Sequence, residues 1–246
     1  MPSIFLYSLI SVILVSLVSL VGILSFSVRE EKLRKVLLYL VSFAAGALLG
    51  DVFIHLLPEL IDNGFKIATS FYILAGILMF FILEKVVHWH HCHGVENCEH
   101  SLASMNLFGE ALHNFIDGVI IAASYIVSIP VGFATTIAVI LHEIPQELGD
   151  FGVLIHSGYS KKKALITNFL IALTAVLGAV LTFFASSLVK NVETYLIPIA
   201  IGSFIYIAGS DLIPELHKEI ELKKSALQII AFILGIMVMA LLLLVE

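Results

Sequence analysis

The chain has 246 residues, 60% hydrophobic and only 13% charged, with a mean hydropathy of +1.07. Soluble domains run at about 45–50% apolar and about 25% charged, so this composition excludes a soluble globular protein and a separate soluble domain of any size. The net charge of −6 adds little, being spread over short loops.

Eight apolar segments follow one another at 3–27, 36–61, 65–87, 103–128, 130–157, 163–189, 192–216 and 224–245. Each exceeds the roughly 20 residues that cross a hydrocarbon core of about 30 Å. The alternating segments of about 10 residues that build a closed barrel are absent. The first segment is not preceded by basic residues and is followed by "REEKLRK", the wrong polarity for a cleaved signal, so it is expected to remain as a helix. The loops after segments 1, 3, 5 and 7 hold eleven of the thirteen basic residues, leaving only Lys66 and Lys190 on the other side. By the positive-inside rule both termini are extracytoplasmic, in a multi-pass protein of the cell membrane.

The second and seventh segments repeat a pattern. "GDVFIHLLPEL" at Gly50 and "IYIAGSDLIPEL" at Ile205 align so that His55 meets Asp211, Pro58 meets Pro214 and Glu59 meets Glu215. These segments run in opposite directions, which is the mark of an inverted-topology repeat. The expected fold is therefore an all-α polytopic membrane protein of eight transmembrane helices, with helices 1–3 and 6–8 as the inverted repeat around central helices 4 and 5.

Between the third and fourth segments, "HWHHCHGVENCEH" carries five of the ten histidines and both cysteines. Its spacing matches no closed zinc motif, so His90, His91 and His93 read as ligands of a loose cytoplasmic metal sink. Cys92 and Cys98 are expected as reduced thiols there.

The fourth and fifth segments carry the chemistry. "ALHNFIDG" places His113 and Asp117 four residues apart on one helix face, with Asn114 beside them. "HEIPQELGD" pairs His142 with Gln146 and Glu143 with Glu147, and Asp150 extends the second stripe. A short "SIP" turn joins the helices and sets both groups near mid-membrane. An acidic side chain there costs about 2.5–3.5 kcal/mol, so Asp117, Glu143 and Glu147 together cost on the order of 8–10 kcal/mol facing lipid. Neither segment contains Lys or Arg. A divalent cation, or protonation of the empty site, offsets that cost. Mixed imidazole and carboxylate donors suit Zn²⁺, Fe²⁺ or Mn²⁺ better than Ca²⁺ or Mg²⁺. Pro145 frees the Leu141 carbonyl, and Gly118, Gly149 and Gly152 would permit close helix approach. His55 and Asp211 are candidate pathway ligands, and Glu110, one turn before His113, lies on a candidate exit route.

"HNFIDG" followed by "HEIPQELGD" resembles the paired motifs of the ZIP (Zrt/Irt-like) metal transporters, over essentially the whole chain. The resemblance implies a binuclear transport site. His113, Asp117, His142 and Gln146 would form one metal position, and Asn114, Asp117, Glu143 and Gln146 much of the second, with Asp117 bridging. Gln146 departs from the family pattern, where His or Glu is usual, and Glu147 is the residue placed to compensate. The implied activity is transport of divalent transition metals, Zn²⁺ before Fe²⁺, Mn²⁺ or Cd²⁺, toward the cytoplasm by alternating access, with Zn²⁺ as cargo and no enzyme chemistry. Residues 1–246 would form a single transporter domain with the His-rich loop at 88–102. The expected partners are divalent metal ions and the lipid bilayer, with no nucleic acid, and the resemblance alone adds a homodimer. Two other readings stand beside it. One is an intramembrane zinc metalloprotease using "HEIPQ" in the manner of HExxH. The other is a non-transporting metal sensor with the same site.

Overall fold

Within lipid, a long apolar run satisfies its own backbone by coiling, and the apolar segments among the described residues do so. The structure, a computed structural model, describes residues 2–26, 30–62, 64–89 and 98–244. Helix α1 (Pro2–Val18) tightens into a 3₁₀ helix over Ser19–Phe26. Helix α2 (Glu30–Gly50) passes through a π segment, Asp51–Leu56, into α3 (Leu57–Asp62). Then come α4 (Ile67–Trp89), α5 (Cys98–Val127) and α6 (Ile129–His156). The sixth span is α7 (Lys161–Ala172) plus α8 (Thr174–Leu188). The seventh is α9 (Glu193–Tyr206), a π segment Ile207–Leu212, and α10 (Ile213–Leu216), and the eighth is α11 (Leu222–Leu242). Seven of these spans are long and apolar enough to cross a membrane. The remaining one, α6, has the length but carries Glu143, Glu147 and Asp150.

The sixth span departs from the unbroken segment expected from the sequence. It breaks at Leu173, where Thr174 Oγ1 donates to the carbonyls of Ile171 and Ala111. A hydroxyl that bonds backbone in this way competes with the helix for the same acceptors.

Burial separates the centre from the periphery. In α5, 61% of the apolar stretch is buried, against 11% in α4 and 17% in α11. Leu48, Ile120, Ile121, Phe204 and Met239 fill the core, while Phe71, Phe184 and Ile233 face outward, as a lipid-facing surface requires.

The two halves of the repeat share local defects as well as sequence. The π segments stand in the same register as the aligned motifs, each beginning seven residues before its proline, Pro58 or Pro214. Pro58 and Pro214 would clash with the carbonyls of Ile54 and Ser210 in a regular helix. A turn widened by one residue relieves that clash. The widened bonds run from Leu57 N–H to the Val52 carbonyl and from Ile213 N–H to the Ala208 carbonyl.

Helix contacts repeat too. Where α2 crosses α11, a Cβ on Gly46 would lie 2.0 Å from the Phe232 carbonyl, and one on Gly235 would lie 2.1 Å from that of Phe43. Where α9 crosses α4, a Cβ on Gly202 would lie 2.0 Å from the Ile73 carbonyl, and one on Gly76 would lie 2.2 Å from that of Ile199. Gly46 and Gly202 hold equivalent places in the aligned motifs, as do Phe43 and Ile199. Only hydrogen in place of a side chain lets these backbones touch. Gly118 likewise abuts the Ala175 carbonyl, but Gly149 and Gly152 face open space, so the close approach expected of those two does not occur.

Candidate metal centre

A hairpin sets the depth of the site. Helices α5 and α6 are joined by one residue, Ser128, whose extended backbone and Oγ cap α6 at Val131 N–H, with Pro130 fitting the first turn. His113 and His142 stand fifteen and fourteen residues from Ser128, about 21–23 Å along their helices. Antiparallel helices so joined bring the two imidazoles to one level.

Four donor atoms converge there. His142 Nε2 lies 3.2 Å from Asp117 Oδ2 and 3.4 Å from Glu143 Oε1. His113 Nε2 lies 3.4 Å from Glu143 Oε1, 3.8 Å from Asp117 Oδ2 and 3.3 Å from His142 Nε2. Ligands about 2.0–2.1 Å from a tetrahedral Zn²⁺ stand about 3.3 Å apart, so these separations match the edges of such a shell. All four residues are buried.

The surroundings prepare these atoms as ligands. His142 Nδ1 is 3.2 Å from the Ala138 carbonyl. Donating there places the ring's proton on Nδ1 and leaves Nε2 with its lone pair toward the cluster. Phe80 and Phe204 stack edge-on against His113 and His142, with ring centroids 5.5 and 6.1 Å away, and fix the ring planes. The carboxylate oxygens of Asp117 accept no hydrogen bond, Glu143 has the two imidazoles beside its Oε1, and no lysine or arginine pairs with either carboxylate among the described residues. Buried anions without donors are costly, and a cation among the four atoms removes that cost.

The amide nitrogens of the remaining sequence candidates point to carboxylates. Asn114 Nδ2 donates to Glu110 Oε1 at 2.7 Å, and Gln146 Nε2 donates to Glu110 Oε2 at 3.0 Å. Both amides are turned to a carboxylate that the motif reading treated only as a route residue. The amide nitrogen of Gln146 is thereby held by Glu110. Glu147 lies with Glu110 and Glu143 in a second group of buried carboxylates, and Asn168 Nδ2 on α7 donates to its Oε2 at 2.8 Å. Glu143, rather than Asp117, belongs to both groups. Asp150 accepts from Asn106 Nδ2 at 2.8 Å.

His55, in the first π segment, is buried with Nε2 3.0 Å from the Met239 carbonyl. Asp211, its counterpart in the second π segment, is exposed in a cavity of about 890 Å³ that Glu110, His113, Gln146 and Asp150 also line. That cavity opens at the end of the bundle bearing Lys218. A smaller one, about 400 Å³, lies at the opposite end between Glu59, Asn191 and Glu193 and reaches none of the cluster residues. Of these two cavities, the larger reaches the cluster, through His113. His90, His91 and His93 lie outside the described residues.

A helical membrane protein with imidazoles and carboxylates converging between its two central helices belongs, by construction, among proteins that handle metal ions within the bilayer. Comparison with known proteins narrows this. The family model described as ZIP Zinc transporter matches residues 3–101 and 90–243, and the chain belongs to the ZIP family. It is 34% identical to the zinc transporter ZIP13 of Pongo abelii, covering 82% of this chain and 65% of that one. It is 30% identical to the zinc transporter ZIP13 homolog of Drosophila melanogaster, covering 84% and 77%. To the zinc transporter YKE4 of Saccharomyces cerevisiae it is also 30% identical, covering 87% and 72%.

Proposed function

We propose that this chain carries divalent transition-metal cargo, Zn²⁺ foremost, across a membrane toward the cytoplasm, as a single eight-helix unit. The observation that carries the reading is the convergence of His113, Asp117, His142 and Glu143 at the separations of a tetrahedral shell, buried and without a cationic side chain. Two nitrogen and two oxygen donors suit Zn²⁺ and accept Fe²⁺ or Mn²⁺. The family membership supports a zinc cargo, since the relatives named above are zinc transporters.

Direction follows from charge. The end bearing Lys161, Lys162, Lys163, Lys218 and Lys223 is cytoplasmic by the positive-inside rule. The large cavity opens at that end, so this conformation is the inward-facing one, from which the ion leaves. Closure at the far side is provided by the buried layer of Ile120, Ile121, Ala138 and Val139. Entry requires the inverse arrangement, which two repeats of opposite direction make available.

Zinc uptake into liposomes holding the purified protein tests this. Wild-type protein is expected to fill the lumen with Zn²⁺ down its gradient, and His142→Ala to reduce the rate to that of empty liposomes. Tight binding with no flux would establish a sensor instead, and Glu143-dependent cleavage of a membrane peptide would establish a protease.

A further inference from the structure

We infer that a latch between α4 and α9, the Tyr206 hydroxyl on the Glu84 carboxylate, positions His113 for its cargo through the ring of Phe80. This rests on the proposed transport site and names positioning residues outside its ligand shell. Tyr206 Oη donates to Glu84 Oε2. Gly76, Phe80 and Glu84 recur at four-residue spacing along one face of α4, and Gly202 and Tyr206 do the same on α9. The two helices are therefore tied at two levels, by the glycine crossing at Gly76 and Gly202 and, farther along α4, by the latch. Phe80 stands between the two ties. It is 3% exposed, and its ring centroid lies 6.4 Å from that of Tyr206. On its other side it meets the His113 imidazole edge-on, at 5.5 Å and 87°.

His113 needs such a hold more than its partner ligand does. The His142 ring is oriented by Nδ1 on the Ala138 carbonyl. Among the described residues the His113 ring has no backbone bond of that kind, and its Nε2 faces the cluster. Its plane is set by packing, and Phe80 supplies an edge contact of the geometry that ring quadrupoles favour. His113 also lines both the large cavity and a smaller one of about 170 Å³, whose wall includes Phe80, Glu84 and Tyr206. It is thus the imidazole on the release side, and the latch fixes the wall of the chamber beside it. A ring already held at its binding angle loses little freedom when the ion arrives, whereas a loose ring must be ordered at a cost in affinity. The tyrosine hydroxyl is a neutral donor, so the latch requires an acceptor at residue 84 and not a charge. That separates this role from that of a carboxylate that itself receives the cargo.

Titration of the detergent-solubilised protein with Co²⁺ reads the placement of the ring, since the d–d absorption of the bound ion follows the geometry of its ligands. Tyr206→Phe, Glu84→Ala and Phe80→Leu should each keep the wild-type stoichiometry, change the d–d spectrum and weaken binding. For Phe80→Leu the loss should be about tenfold, the lower end of what removing an outer partner of a ligand costs. Glu84→Gln keeps an acceptor for the hydroxyl and should leave spectrum and affinity as in wild type. In the Phe80→Leu background, Tyr206→Phe should add nothing, the non-additivity expected of residues that act in series. Wild-type spectra and affinities in Tyr206→Phe and Glu84→Ala would overturn the latch. Glu84→Gln as severe as Glu84→Ala would overturn it too, since charge rather than an acceptor would then be what residue 84 supplies. If Phe80→Leu does not fold, the comparison at residue 84 decides. A Co²⁺ spectrum that survives His142→Ala would instead overturn the imidazole cluster as the cargo site, a separate result.

Discussion

His142 illustrates how a helix readies a side chain for metal. Its Nδ1 reaches the Ala138 carbonyl one turn back, so Nε2 is free and aimed between Asp117 and Glu143. Replacing it with Ala removes a donor outright, so zinc affinity should fall by more than the 10–100-fold typical of losing an outer partner. Isothermal titration with Zn²⁺ measures this. Asp117 behaves differently. Its oxygens accept no hydrogen bond, and each buried unsatisfied acceptor costs about 1–3 kcal/mol. Asp117→Asn keeps the shape and removes the charge, so it should raise the melting temperature of the metal-free protein while abolishing stabilisation by zinc. A thermal melt with and without Zn²⁺ reads both effects. His113, Asp117, His142 and Glu143 were all legible in the sequence, because four-residue spacing and a tight turn fix a shared face and a shared depth. Glu110 was less so. Its partners are the amides of Asn114 and Gln146 and the carboxylate of Glu147, two of which arrive from another helix and depend on side-chain direction.

At the level of helices, the repeat is stated twice, once in sequence and once in backbone defects. The "LPEL" and "IPEL" endings could be aligned by eye. The π segments before them could not, since a widened turn is the response of a packed helix to a proline and has no residue signature of its own. The break at Leu173 escaped for a related reason: the Thr174 hydroxyl beside it also reaches the Ala111 carbonyl of α5, a tertiary contact. The glycine crossings yield a paired prediction. Gly46→Ala and Gly202→Ala place a methyl 2.0 Å from a carbonyl oxygen at equivalent crossings, so each should destabilise by about 1–3 kcal/mol, the usual cost of overpacking. Gly149→Ala meets no neighbour and should be near neutral. Melting temperatures in detergent for the three variants check the pattern.

For the molecule as a whole, sidedness and the central site carry the account. In a background with Cys92 and Cys98 replaced by Ser, Asn191→Cys should react with an impermeant thiol reagent on intact cells, and Ser160→Cys only after permeabilisation. The reverse would invert the topology and with it the direction of transport. The central claim is that two imidazoles and two carboxylates hold the cargo between α5 and α6. X-ray absorption at the zinc edge, on protein carrying one equivalent of Zn²⁺, tests it most directly. The account predicts four nitrogen and oxygen donors at about 2.0–2.1 Å, with two imidazole contributions that fall to one in His142→Ala. A sulfur-containing shell, or a shell unchanged by His142→Ala, would contradict it.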